Sequence, residues 1–297
     1  MSLFSILFVI FSYLQTRGLE ATVQNLSKPS QNFCSHLLDF NSKHLQLYKA
    51  IACGVPVKDS SYEVLKTVSL WHLVIVSAGH FQVILWFLNK FKNKIPWISP
   101  LGLLAFSLIS GAQPPVLRAY IDYLIRMGSK QWRFWIPSEY CTLYSSCMIL
   151  VCFPSWTHSW SFLLSWLCGV LILLLQRQSL FIQALGIWIG VFPIACLFSA
   201  PHPLGFLFNI IFAPPLSLVL FPLSLLMIAF PILHLIADPF VDFLLYLLTQ
   251  LAGPSSASSL YKFNYSQITF IGSWIYVLGL QILIILKMRT KVRKKDK

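Results

Sequence analysis

Hydrophobic residues in this chain come in long, separate blocks, several of the length that crosses roughly 30 Å of hydrocarbon. The blocks fall at 68–88, 97–109, 116–127, 143–153, 160–175, 181–198, 204–230 and 268–286. Only 10% of residues are charged against 57% hydrophobic, too little charge to keep a globule of this size wet. The reading is therefore an all-α integral membrane protein, a polytopic helical bundle. Several blocks are shorter than a full span, and Pro114, Pro115, Pro214 and Pro222 fall in or beside others. A proline removes one backbone donor, and at membrane depth such a break survives only against protein or a wet cavity. Short, proline-broken or re-entrant segments are thus expected, with Gly79 a further candidate break.

Four regions follow from composition. Residues 1–15 carry a short apolar run, open between anchor, signal and half-span. Residues 16–67 are mixed and polar and read as an extramembrane or interfacial segment, with amphipathic helices near 33–48 and 62–68. Residues 68–286 form the polytopic region, and 287–297 a basic tail.

The net charge of +13 is concentrated: seven basic residues stand between Lys287 and Lys297, and Lys90, Lys92 and Lys94 separate two apolar blocks. The positive-inside rule makes both cytoplasmic, in contact with lipid headgroups, and so puts residues 16–67 outside. Arg126, Lys130 and Arg133 form a further inside cluster, which makes 97–127 a hairpin or a span with a re-entrant piece. Of seven cysteines, Cys34 and Cys53 alone lie in a polar stretch; an oxidising compartment would allow them to pair.

Polar groups in apolar surroundings mark candidate sites. His72 and His80 share one block, with Ser77 and Gly79 between them; each histidine suits a hydrogen bond to a neighbouring helix. Arg118, Asp122 and Arg126 follow at i, i+4 spacing and would form one charged stripe. That stripe is either a solvated interfacial face or a contact for phosphate, whose oxygens match the guanidinium fork. Asp238 and Asp242, one turn apart, suit a cap or a lined path. No nucleotide-binding loop, nucleophile elbow or zinc-protease motif occurs in the sequence, and no metal or cofactor is implied. The chain is read as a conduit and not as an enzyme.

Three stretches resemble the ComEC competence family. HLVIVSAGH (72–80) is similar to its HLLAISGLH, SGAQPPVLRA (110–119) to its TGFSPSVLRA, and GFLFNIIFAPPLSLVLFPLSLL (205–226) to its GLLANLLAIPL, with Asn209 in matching order. WSFLLSW around Phe162 is similar to a weaker element between them. The resemblance implies an inner-membrane channel that passes single-stranded DNA into a competent bacterium, with the C-terminus cytoplasmic. It implies a DNA-binding receptor, a nuclease and a translocating ATPase as separate partners, and an oligomer as one form of the assembly. His72, Ser77, His80, Arg118 and Asn209 are the matching polar residues. The chain departs from the family at Ala78-Gly79, where Gly-Leu is usual, and at Asp122, where an apolar residue is common. The metallo-β-lactamase-like domain of larger members is not expected here, since no His-x-His-x-Asp-His run occurs. A non-conducting structural subunit and a small-solute transporter on the same fold are the rival readings.

Overall fold

The computed structural model describes residues 18–57, 62, 64, 65, 68, 70, 77–91, 95, 97–133, 136–197, 202–252 and 267–293. The apolar run at 1–15, His72, Lys92, Lys94 and the end of the basic tail lie outside them. Among the described residues every regular element is a helix. Three are long and apolar enough to cross a membrane: Gly205–Leu226, Pro231–Leu251 and Thr269–Lys287. The second of these lies where no block was expected, because Asp238 and Asp242 interrupt its apolar run. Shorter apolar helices occur at Ile98–Ile109, Trp160–Leu175 and Leu180–Ala195. At 1.5 Å per residue a 12-residue helix such as Ile98–Ile109 covers only about 18 Å.

The chain folds as two compact units, each assembled from separated stretches: one from 117–194 and the C-terminal helix, the other from 23–116 and 195–263. In the first, helix α6 (Ser138–Cys152) packs with α7 (Trp160–Leu175), and both meet the C-terminal helix, numbered α12 (Gln267–Arg293). Polar side chains tie the three together. The buried Trp166 indole donates to Gln281 Oε1 (3.1 Å), and Gln281 Nε2 donates to the Glu139 carbonyl (3.2 Å). Helix α8 (Leu180–Ala195) lies against α7 through Gly186 and Gly190. A Cβ at either would come within 2.7 Å of Leu175 or Leu171. Small residues at i, i+4 are what allow helix backbones this close in a membrane.

The second unit starts with α1 (Leu19–Leu37, in this unit from Val23) and α2 (Leu45–Cys53). The amphipathic helix expected near 33–48 is in fact two helices. Leu38–His44 breaks it, and there Ser42 Oγ accepts the His44 N–H (3.1 Å), the local side-chain bond by which serine competes with helix. Cys34 and Cys53 form a disulfide, Cα–Cα 5.8 Å. Beyond it Gly54 ends α2 in the left-handed conformation, φ 69°. A Cβ on Gly54 would stand 2.5 Å from the Ser110 carbonyl oxygen, so only glycine fits. Gln31 Nε2 donates to the Cys53 carbonyl (3.0 Å) and Gln113 Nε2 to that of Gly54 (2.9 Å). The disulfide corner is thus seated on the turn at 110–113.

That turn joins α4 (Ile98–Ile109) to α5 (Pro114–Gln131). It closes α4 with Gly111 and Ala112 at φ 77° and 49°, and with the Ala112 N–H bonded back to Ser107 O (2.8 Å), the reverse bond of a Schellman ending. Pro114 and Pro115 then open α5, where missing N–H groups cost nothing. The 97–127 region is accordingly two helices and a tight turn. Pro214 and Pro222, expected as breaks, do not interrupt their helix. It runs as α9 (Gly205–Pro214), widens to a π stretch at Pro215–Leu220, and resumes as α10 (Phe221–Leu226). The wider turn accommodates prolines that cannot donate. Helix α3 (Ala78–Asn89) packs on α4 and on the π stretch, and α11 (His234–Ala252) follows α10.

Candidate functional site

Helix α5 presents Arg118, Asp122 and Arg126 at successive four-residue steps, and the structure separates their roles. Asp122 pairs with Arg126, Nε to Oδ2 at 2.7 Å and Nη2 to Oδ1 at 3.4 Å, a forked ion pair along the helix. Arg126 Nη1 also donates to Ser138 Oγ on α6 (3.0 Å). Arg118 is left without an acid. It is 7% exposed, and its Nε donates to Ser165 Oγ of α7 at 3.0 Å. Among the described residues its two terminal guanidinium nitrogens have no hydrogen-bond partner.

Gly169, one turn beyond Ser165, forms the floor under that guanidinium. A Cβ at Gly169 would lie 3.3 and 3.4 Å from Arg118 Nη1 and Nη2, and 3.4 Å from the Thr142 methyl on α6. The arginine therefore lies flat against the α7 backbone, beside α6. The facing side of α6 is polar: Glu139, Thr142, Ser145 and Ser146 are all buried. Thr142 and Ser145 return their hydroxyl protons to carbonyls of their own helix. Ser146, one turn past Thr142, is fully buried and its Oγ has no partner. Inserting a single arginine at mid-membrane costs about 2.5–3.5 kcal/mol. Arg118 is buried with no carboxylate bonded to it among the described residues, a feature that stability alone does not account for.

The other expected residues among those described belong to the second unit. Ser77 precedes α3, and its N–H donates to His80 Nδ1 (3.2 Å). His80 is buried, with its ring 4.3 Å from that of Phe221. Its Nδ1 is an acceptor, so in the neutral ring the proton sits on Nε2. Gly79 lies in the first turn of α3. Asn209 donates to the Gly205 carbonyl of its own helix (2.8 Å).

A second polar cluster was only half visible in the sequence. His234, Asp238 and Asp242 stand one turn apart on α11, and residues 40–48 cover them. The Phe40 and His234 rings stack at 5.3 Å. Ser42 and Tyr48 donate to Asp238 Oδ1 at 2.8 and 2.6 Å. Lys43 donates to Asp242 at 2.8 Å, and His44 Nε2 meets the same carboxylate at 3.0 Å while its Nδ1 meets the Tyr62 hydroxyl at 2.9 Å. Burial, with Asp238 beside it, raises the Tyr48 phenol above its ordinary pKa and keeps it a donor. Spacing showed the aspartates one turn apart; nothing local pointed to their partners nearly two hundred residues earlier.

No group of three His, Cys, Asp or Glu among the described residues could hold a metal ion. Residues 62–290 match the family described as Competence protein. The chain belongs to that family. Neither a curated protein nor a solved structure matches it. The Competence match takes in the stretches 72–80, 110–119 and 205–226 that resemble ComEC. Membership gives the chain a part in competence and, with its three long apolar helices, a place in a membrane.

Proposed function

We propose that this Competence protein is an inner-membrane channel that passes single-stranded transforming DNA into the cytoplasm, with its C-terminus on the cytoplasmic side. The observation that carries the reading is Arg118, a buried cation whose helix-mate Asp122 is committed to Arg126. A polyanion can cross a bilayer only if its charge is met on the way, and a site that meets it must also let it go. One arginine against successive phosphates satisfies both demands. The chain conducts and does not cut, so a receptor, a nuclease and an ATPase act as separate partners, and homo-oligomers are one form the channel takes. Membrane lipids are its other contact.

The test is transformation of the native host by marked DNA in four strains: wild type, deletion, and deletion complemented with wild type or Arg118→Ala. Loss on deletion with rescue by wild type alone is expected. Transformation untouched by the deletion would overturn the proposal and put a non-conducting scaffold or a solute transporter ahead.

A further inference from the structure

Around Gly169 the first unit gathers hydrogen-bond donors, and among the described residues no carboxylate is bonded to them. Arg118 contributes Nη1 and Nη2, which have no partner among the described residues and lie over Gly169. Ser165 accepts from Arg118 Nε, which leaves its own hydroxyl proton free to donate. Ser146 brings a buried hydroxyl with no partner, one turn along α6 from the Thr142 methyl that borders the same glycine. The four residues from Thr142 to Ser146 rise about 6 Å, within the spread of a tetrahedral oxyanion and its hydrogen bonds. The nearest carboxylate on α5, Asp122, is occupied by Arg126 and held there by the bond from Arg126 to Ser138.

A guanidinium with two unmatched terminal nitrogens, beside a buried unpaired hydroxyl, suits a ligand with several acceptor oxygens and a negative charge. Water would satisfy donors but leave the arginine's charge uncompensated.

We infer that Arg118, Ser165 and Ser146, floored by Gly169, form a seat for one phosphodiester group of a single-stranded DNA backbone. This rests on the proposed function, which supplies the DNA; the geometry supplies the seat. The fork binds the two non-bridging oxygens, and the two serines give the remaining hydrogen bonds. No base is read, so the seat is indifferent to sequence. Asp122, paired with Arg126, stands outside the seat.

The experiment uses the full chain in nanodiscs of zwitterionic lipid and measures binding of a fluorescent oligothymidylate. A second oligomer carries uncharged methylphosphonate linkages. The expected result is salt-sensitive binding of the first and little of the second. Arg118→Gln should weaken the first about thirtyfold and reduce the salt dependence by about one phosphate contact. Gly169→Ala should weaken it about tenfold and Ser146→Ala a fewfold, with melting temperatures near wild type. Asp122→Asn should leave binding within a fewfold. If Arg118→Gln fails to fold, Arg118→Lys and Ser146→Ala decide, since Lys keeps the charge and loses the fork.

Undiminished binding in Arg118→Gln, or in both Arg118→Lys and Ser146→Ala, would overturn the seat and leave the channel reading standing. No oligomer binding by the folded wild type, at low salt, would overturn the channel reading itself. Loss of binding on adding phosphatidylglycerol to the nanodiscs, in wild type but with Arg118→Lys unaffected, would assign the seat to a lipid headgroup and overturn the DNA assignment.

Discussion

Two polar clusters in this molecule have been built to opposite specifications. Along α11, Asp238 takes hydrogen bonds from Ser42 and Tyr48, and Asp242 meets Lys43 and His44. Beside α7, Arg118 keeps one bond and two unmatched amines, and Ser146 keeps none. A polar group that is matched inside the protein adds stability and closes off other partners. One that is left unmatched lowers stability and is available to something that comes and goes. The contrast separates a clasp, which holds residues 40–48 on α11, from a receiving site, and it can be tested from both sides.

The largest effect belongs to Arg118. Arg118→Ala should lower transformation about a hundredfold, the scale of a lost charge-assisted contact, without lowering the amount of protein in the membrane. If Asp238→Asn gave the same loss with a folded protein, the division between clasp and receiving site would fail. Next comes the disulfide. Replacing both Cys34 and Cys53 by Ser should cost about 3 kcal/mol for a loop of this length, seen as faster proteolysis between residues 18 and 57; wild type treated with a reductant should match it.

Asp238→Ala strands the buried Tyr48 hydroxyl and Ser42, an expected loss of about 2 kcal/mol read as a lower melting temperature. Asp242→Asn should cost under about 1 kcal/mol, because its carboxylate is 45% exposed and solvent screens its pairing with Lys43. Equal losses from these two aspartates would show that burial does not rank the clasp contacts. Transformation in the Asp242→Asn strain should stay near wild type.

Much of this was legible in the sequence, for reasons that differ by residue. Apolar blocks gave helices because a membrane leaves the backbone little choice. The i, i+4 stripe of Arg118, Asp122 and Arg126 was readable because it is set by one helix. Which arginine the aspartate would choose was not, because Ser138, Ser165 and Gly169 come from other helices and settle it. The helix at 231–251 is less legible, because Asp238 and Asp242 fall within its apolar run and their partners come from residues 40–48. Pro214 and Pro222 misled because proline predicts the loss of a bond, while the π stretch shows the helix absorbing that loss. The match over residues 62–290 follows what the three motif stretches implied about family; the phosphate seat, made by four residues from three helices, left no signature of its own.

Gln281 also carries a consequence for how the protein is made. It answers both the Trp166 indole and the Glu139 carbonyl, from positions 115 and 142 residues later in the chain. A ribosome adding about 5–20 residues per second takes roughly 6–23 s to travel the shorter of those distances. Throughout that interval the Trp166 indole N–H of α7 lacks this acceptor, and the insertion machinery or neighbouring lipid headgroups must tolerate it. The first unit is therefore assembled in two sittings, with its last helix serving as the keystone of a structure begun long before.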